Sequence, residues 1–135
     1  MNKIKIGTIQ VNNSFSGQNY LPLSLGFLVS YAEMHCKNFN DFEFLNPIYK
    51  RVPIKDAIEQ YKDCDIVAFS VYVWNNNISM RIAKALKEVN PNILTLVGGC
   101  HIPERPEYIE KYMSDHPYID IASVGEGERV FTDFL

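Results

Sequence analysis

Short apolar runs alternate with segments of helical periodicity along the chain. Residues 3–9 alternate lysine with isoleucine, as a half-buried strand does. Residues 65–73 are continuously apolar, which is typical of a strand that is covered on both faces. The pattern predicts five strands in all, within residues 3–9, 42–46, 65–73, 91–99 and 118–125.

Five further segments carry apolar residues at helical spacing. They are residues 20–37, 52–62, 77–89, 105–115 and 127–135. The first of them is apolar on almost every side, which predicts a buried helix, and Pro22 suits its first turn. Residues 10–19 are polar and rich in turn-forming residues, so we expect a loop there.

Strands that alternate with helices need right-handed crossovers and therefore a parallel sheet. We predict the α/β class: a three-layer, doubly wound, flavodoxin-like or Rossmann-like sandwich of five parallel strands in the order 2-1-3-4-5. The length of 135 residues fits one domain over residues 1–135. The last helix carries Val130, Phe131, Phe134 and Leu135 on one side. We expect that side to be partly uncovered and to support a weak homodimer.

Composition narrows the classes of partner. A net charge of -3 without a basic cluster argues against nucleic acid. No apolar run is long enough to cross a membrane, and the basic start lacks the features of a signal peptide, so a cytoplasmic location is expected. Cys36, Cys64 and Cys100 are too far apart for a zinc or iron–sulfur motif, and they are interpreted as reduced thiols.

Two predicted strands end in glycine. Strand 4 ends in Gly98-Gly99, and strand 5 ends in Gly125-Glu126-Gly127-Glu128. Ligands of such sheets bind beyond the carboxyl ends of the strands, here near the switch point between strands 1 and 3, and glycine lets a ligand touch the main chain. We therefore expect Gly98-Gly99 to contact a ligand, with a tight exit from the strand as the alternative.

The neighbouring loops allow two interpretations each. Gly127 opens the last helix with Glu128 in its first turn, or the loop faces a neighbouring domain or a substrate. Tyr72 and Trp74, after strand 3, wall a cavity for a large planar ligand or only cap the sheet.

Several kinds of chemistry are disfavoured. Cys100 and His101 are too few ligands for a metal, and side chains adjacent in sequence diverge too much to act as a nucleophile and its base. No phosphate-binding glycine motif or Walker lysine follows strand 1. We expect neither a catalytic nor a metal-ligating residue in this chain.

Two segments at the strand ends, VGGCHIPERPE and IDIASVGEGERVFTDFL, resemble the N-terminal cobalamin-binding domain of cobalamin-dependent radical S-adenosylmethionine (SAM) proteins. In that family strand 4 ends in Gly-Gly, often followed by His and Pro, and strand 5 ends in Gly-Glu-Gly-Glu before a helix. The segments YLPLSLGFLVSYAE and DIVAFSVYVWN are similar to the family's first helix and third strand. The resemblance covers nearly the whole chain.

The resemblance also implies a set of corrinoid-contacting positions. Wider cobalamin domains carry Asp-x-His-x-x-Gly after strand 1, Ser-x-Leu after strand 3 and Gly-Gly after strand 4. The matching residues here, with the neighbours that the resemblance adds, are Asn12, Ser14, Gly17, Ser70, Val71, Tyr72, Trp74, Gly98, Gly99, Cys100, His101, Gly125, Glu126 and Gly127. Because Ser14 occupies the position of the cobalt-ligating His and Asn12 that of its Asp, the resemblance implies a cobalt without an imidazole from this loop.

The family's catalytic half binds an iron–sulfur cluster and SAM through a CxxxCxxC motif, which this sequence lacks. The resemblance therefore implies a corrinoid-holding domain that works with a C-terminal radical SAM domain of the same parent chain and does not catalyse a reaction alone. Two alternatives stay open: a cofactor-free structural domain that positions the radical SAM core, and a flavodoxin-like nucleotide-binding module that uses the strand 1 loop.

Overall fold

The computed structural model describes residues 2–135, and these residues form alternating strands and helices. The strands are β1 (Ile4–Ile9), β2 (Ser14–Phe15), β3 (Gln18–Asn19), β4 (Phe42–Phe44), β5 (Ile66–Ser70), β6 (Leu94–Gly98) and β7 (Ile121–Ala122). The helices are α1 (Leu23–His35), α2 (Ile54–Tyr61), α3 (Asn76–Val89), α4 (Pro106–Asp115) and α5 (Gly127–Phe134).

Five of the strands form one parallel sheet in the order β4-β1-β5-β6-β7. In terms of the five sheet strands this order is 2-1-3-4-5, so the predicted fold class and strand order are confirmed. β5, in the centre, is buried at every position, as its continuous apolar sequence predicts.

Successive residues of each strand face opposite sides of the sheet, and each side has its own core. Val67, Phe69 and Val97 belong to the larger core, to which α2, α3 and α4 contribute. Ala68 and Leu96 belong to a smaller core on the other side, where α5 supplies Phe131 and α1 supplies the half-buried Leu28. The side covered by α1 and α5 therefore has the smaller core.

The first helix is shorter and more exposed than its sequence predicts. Only Leu25 and Ala32 of α1 are fully buried, whereas Leu23, Phe27 and Met34 are largely exposed. The prediction of a buried helix is wrong because α1 contacts the sheet and α5 along one stripe, and no other described element covers its outer side.

The segment predicted to be a loop contains a small hairpin. β2 and β3 pair antiparallel, with Ser14 opposite Asn19 and Phe15 opposite Gln18. Ser16 and Gly17, between them, have φ values of 50° and 75°, which suits the two-residue turn that joins closely paired strands. The polar flanking residues gave no alternation that could reveal these strands.

The last helix is better covered than predicted. Phe131 is buried, and Phe134 and Leu135 pack against the smaller core, so only Val130 of the predicted apolar side is exposed. The predicted side is therefore partly uncovered at Val130 alone, because α5 lies against α1 and packs Phe131 into the smaller core.

Candidate functional site

A cavity of about 510 Å³ lies between the sheet and the pair formed by α1 and α5. It opens at the carboxyl ends of β5, β6 and β7, the edge where ligands of doubly wound sheets bind. Its walls are mostly apolar, with Ala68 and Leu96 from the sheet, Leu28 from α1 and Phe131 from α5. Size and composition fit a small-molecule site, for which volumes of roughly 300–1,000 Å³ are usual.

This position differs from the one expected from the switch point. Two strands, β5 and β6, and the loop after β7 line the cavity, and no residue of the loop after β1 does. The cavity forms here because α1 and α5 leave a gap between their side chains and the sheet.

The two glycines at the end of β6 have different roles. A Cβ on Gly98 would lie 3.6 Å from Ser123 Cβ, an ordinary contact, and Gly98 lines the cavity. Gly99 has φ of 110°, and a Cβ there would lie only 2.5 Å from the carbonyl oxygen of Val71. The main chain of this protein therefore requires glycine at position 99, because a left-handed residue passes against the end of β5.

Val71 also forms main-chain hydrogen bonds with the segment around Gly99. Its N–H donates to Gly98 O at 2.7 Å, and its carbonyl accepts from His101 N–H at 3.2 Å. Val71 and His101 hold the loop after β6 in place and do not line the cavity, whereas the exposed Cys100 between the two bonded segments does.

The aromatic pair after β5 stands at the mouth of the cavity. Tyr72 and Trp74 stack with ring centroids 4.6 Å apart and planes 5° apart. Tyr72 Oη lies 2.6 Å from Ser24 Oγ on α1, and Tyr72 lines the cavity. Trp74 does not line it and is 48% exposed. The pair therefore forms a flat apolar surface beside the carboxyl ends of the strands.

Asn75 ties these loops together, and sequence reasoning missed it. Its Oδ1 accepts from Tyr72 N–H at 2.8 Å, and its Nδ2 donates to Val11 O and Ser70 O, both at 3.1 Å. The residue is fully buried just before α3. The only sequence signal is an Asn at the predicted start of a helix, which suggests a helix cap and not a link between two strand ends.

The strand 1 loop lies apart from the cavity. Asn12 is buried, accepts from Gln10 and donates to Tyr20 O, so it supports the base of the hairpin. Ser14 is exposed in β2, and Gly17 forms the hairpin turn. The structure therefore does not bring these three predicted site residues together with the cavity-lining residues.

The loop after β7 does join the cavity. Gly125, Glu126 and Gly127 line it, together with Ser70 from β5. Gly127 begins α5 as predicted, and a Cβ there would lie 3.3 Å from Leu28 Cδ2, so this residue also sets how closely α5 approaches α1.

The described residues contain no cluster of side chains that could ligate a metal ion. Within residues 2–135 no group of three His, Cys, Asp or Glu side chains is placed to hold a metal ion. Burial raises the pKa of the Cys64 thiol to about 11, so this thiol is protonated near neutral pH. None of the helices in that range is long and apolar enough to cross a membrane.

Comparison with protein families matches the B12 binding domain over residues 22–135. The matched range contains every cavity-lining residue and begins after the hairpin, so that Asn12, Ser14 and Gly17 lie outside it.

Two curated relatives are similar in sequence. The cobalamin-dependent radical SAM methyltransferase TokK of Streptomyces tokunonensis is 38% identical over 117 residues, 86% of this chain. The 2-(S-pantetheinyl)-carbapenam-3-carboxylate methyltransferase of Streptantibioticus cattleyicolor is 34% identical over 116 residues, also 86% of the chain. In both cases the match spans only 17% of the relative's length.

Solved structures support the fold alone. The pilus assembly protein CpaE of Caulobacter crescentus has a TM-score of 0.57 at 10% identity, covering 96% of this chain and 94% of that chain. A putative pilus assembly-related protein of Burkholderia pseudomallei has a TM-score of 0.60 at 10% identity, covering 97% and 85%.

Proposed function

This chain belongs to the B12 binding domain family, and on that premise we propose that it holds a corrinoid against the carboxyl ends of β5, β6 and β7. The cavity between the sheet and α1–α5 would hold the nucleotide tail of the corrinoid, with its benzimidazole base. Tyr72, Gly98 and the loop after β7, at the opening of the cavity, would hold the corrin ring.

The observation that carries this proposal is the match between the cavity and a flat aromatic base. The floor and walls are apolar at Ala68, Leu96 and Phe131, so they suit an aromatic ring system. Gly98 and Gly125 carry no side chain into the opening. Ser70, at the end of β5, also lines the cavity and supplies a hydroxyl side chain that suits a polar atom on the ligand.

A bound corrinoid supplies a cobalt centre that can carry a methyl group. The residues of this chain would bind and orient the corrinoid. The stacked Tyr72 and Trp74 shield one side of the strand ends, and Asn75 fixes the loop that bears them.

The strand 1 loop would offer no imidazole to the cobalt in this proposal. Ser14 stands where wider cobalamin domains place the ligating His, and a serine hydroxyl is a poor cobalt ligand. The remaining candidates are His35, His101 and His116, and none of them lines the cavity. We expect the Co(II) spectrum of the loaded chain to show no nitrogen coupling from the protein.

Electron paramagnetic resonance of the loaded 135-residue chain tests this expectation. Alanine variants of the three histidines are measured beside the wild type. A nitrogen coupling that disappears in one of these variants would identify a protein ligand and contradict the proposal.

Binding itself is tested by equilibrium dialysis against hydroxocobalamin. Val130 lines the cavity and is partly exposed, so Val130→Trp narrows the cavity without filling a core position. We expect about tenfold weaker binding, since misfit in a packed site costs on the order of 1–3 kcal/mol. Val89→Trp, at an exposed position of α3 far from the cavity, is the matched control. Wild-type protein that binds no cobalamin would favour a cofactor-free structural domain.

The chain spans about a sixth of the curated relatives it matches. We propose that it serves a longer protein in which a radical SAM domain holds the iron–sulfur cluster and SAM. The free cysteines Cys36, Cys64 and Cys100 are not grouped for a cluster among the described residues. The 135-residue chain should therefore not cleave SAM after reconstitution with iron and sulfide, and cleavage under those conditions would refute this assignment.

A further inference from the structure

A second concave site lies on the side of the sheet that α2 and α3 cover, over the larger core. It has a volume of about 520 Å³. Residues 51–54, which lead into α2, line it together with Asn77, Ile78 and Arg81 of α3. We call it the arginine cleft, because Arg51 and Arg81 are the charged residues that line it. It shares no lining residue with the cavity of the proposed corrinoid site.

The two arginines of the cleft have no carboxylate partner in residues 2–135, where every ion pair forms between other residues. Arg51 Nη2 donates to Asn13 Oδ1 at 3.2 Å and to Trp74 O at 3.4 Å. These acceptors are neutral, so they orient the guanidinium group without compensating its charge. Asp56, in the first turn of α2, does not line the cleft. The cleft therefore presents two uncompensated positive charges in a chain whose net charge is -3.

Apolar side chains form the rest of the lining. Val52, Ile54 and Ile78 pack against the larger core, and each is only half-buried. Part of each side chain therefore stays open to the cleft. An anion without an apolar part would leave this surface in contact with water, so the lining fits an anion that carries an apolar body.

The pair of guanidinium groups also favours one class of anion. Each guanidinium presents a planar fork of N–H donors that binds two oxygens of the same anion. A carboxylate or a sulfate ester carries one negative charge, whereas a phosphate monoester carries close to two near neutral pH and has three terminal oxygens. The doubly charged group therefore matches two unpaired arginines.

We propose that the arginine cleft binds a small phosphate monoester with an apolar body. Arg51 and Arg81 bind the phosphoryl oxygens, and Val52, Ile54 and Ile78 contact the apolar body. This site is separate from the corrinoid cavity and does not depend on the proposed function.

The test is a chemical-shift titration of the isotope-labelled, cobalamin-free chain of 135 residues with three probes near neutral pH. The probes are phenyl phosphate, phenyl sulfate and inorganic phosphate. We expect phenyl phosphate to bind with a dissociation constant on the order of 1 mM and to shift the amides of residues 51–54, Asn77 and Ile78. The other two probes should bind about fivefold more weakly, because phenyl sulfate lacks the second charge and inorganic phosphate lacks the apolar body.

Arg51→Gln and Arg81→Gln should each weaken phenyl phosphate binding at least about fivefold, because each removes one charge-assisted fork. Arg81 is exposed on α3, so its substitution should leave the urea midpoint unchanged. Arg129→Gln is the matched control. It removes the same charge from an exposed pair with Asp133 on α5, outside the cleft, and should leave the affinity unchanged.

An equal loss of affinity in Arg129→Gln would indicate general charge attraction and overturn the inference. Unchanged phenyl phosphate affinity in Arg81→Gln would overturn it as well. Equal affinities for phenyl phosphate and phenyl sulfate would contradict the selection for a doubly charged group, and equal affinities for phenyl phosphate and inorganic phosphate would contradict the apolar contact. All of these measurements omit the corrinoid, so their failure is distinguishable from failure of the proposed function.

Discussion

At the scale of single residues, Gly98 and Gly99 are adjacent in sequence but contact different neighbours. Gly99 is constrained by Val71 of the same chain, whereas Gly98 borders only Ser123 and the cavity. Gly99→Ala should destabilise the fold by about 3 kcal/mol or more, because its Cβ meets backbone atoms at a left-handed φ. Gly98→Ala should change the free energy of unfolding by no more than about 1 kcal/mol and should weaken cobalamin binding.

Urea unfolding and cobalamin dialysis of the two glycine variants check this difference. A stable Gly99→Ala protein would contradict the close approach to Val71. Normal binding by Gly98→Ala would show that the ligand does not contact this backbone.

Asn75 is the residue on which the site's loops depend most. Asn75→Ala removes the partners of Tyr72 N, Val11 O and Ser70 O inside a buried region. We expect a loss of about 2–4 kcal/mol in the free energy of unfolding. Asn75→Asp should be no milder, because a carboxylate cannot donate to the two carbonyls. Asn77→Ala, exposed in the first turn of α3, is the control, and a loss as large there would refute the assignment.

The sequence reveals glycines at strand ends, but not which atoms approach them. Gly98-Gly99 and Gly125-Glu126-Gly127 were found because glycine after an apolar run is visible in a single sequence. Asn75 was missed because its role depends on a partner far away in the chain, the carbonyl oxygen of Val11.

At the scale of elements, the short strand β7 depends on a polar link before it. Asp120 Oδ2 accepts from Thr95 N–H at 2.8 Å and from Thr95 Oγ1 at 3.0 Å, and it pairs with Lys87 Nζ of α3 at 2.6 Å. Burial alone would raise the pKa of this carboxyl, but the hydrogen bonds and the charge of Lys87 outweigh it, and the pKa is lowered. The folded state therefore stabilises the ionised form of the Asp120 carboxyl.

The pH dependence follows from that direction. A lowered folded-state pKa contributes stability that is present above the unfolded value of about 3.9 and is lost as the pH falls through the folded value. Asp120→Asn should therefore cost about 1–2 kcal/mol at pH 7, and the difference from wild type should shrink below about pH 4.

Urea titrations from pH 7 to pH 2.5 measure this difference. Asp115→Asn, in the exposed pair with Lys111, is the control and should stay within about 0.5 kcal/mol of wild type. A difference between Asp120→Asn and wild type that is constant over the whole range would show that the charge of Asp120 does not contribute.

Elements with strong periodicity were predicted well, and those that depend on distant surfaces were not. The central strand β5 and the amphipathic α3 were recognised because burial on two faces or on one stripe leaves a clear pattern. The exposure of α1 could not be read from its sequence, because an all-round apolar helix normally lies inside a protein. The hairpin was missed because two-residue strands are too short to show a period.

At the scale of the whole molecule, the exposed apolar surface lies around α1 and the loop before it. Leu21 is 75% exposed and Leu23 is 65% exposed, with Phe27 further along the helix. We expect weak self-association of the isolated chain, with a dissociation constant on the order of 0.1–1 mM. The combined change Leu23→Glu with Phe27→Glu should abolish it without unfolding the protein.

Sedimentation equilibrium at increasing concentration measures this association. Tyr108→Glu, exposed on α4, should leave it unchanged and serves as the control. A wild-type chain that remains strictly monomeric at about 1 mM would refute the prediction.

The position of β1 inside the sheet has a consequence for how the chain is made. β1 is synthesised before both of its neighbours: it pairs with β4 on one edge, where Ile4 meets Phe42, and with β5 on the other, where Ile6 meets Ile66. A nascent chain therefore carries one edge of this strand unpaired until β5 has left the ribosome, and long-range parallel pairing is slow to form. Lys3 and Lys5, exposed on either side of Ile4, keep that waiting strand charged and oppose edge-to-edge association with other nascent chains.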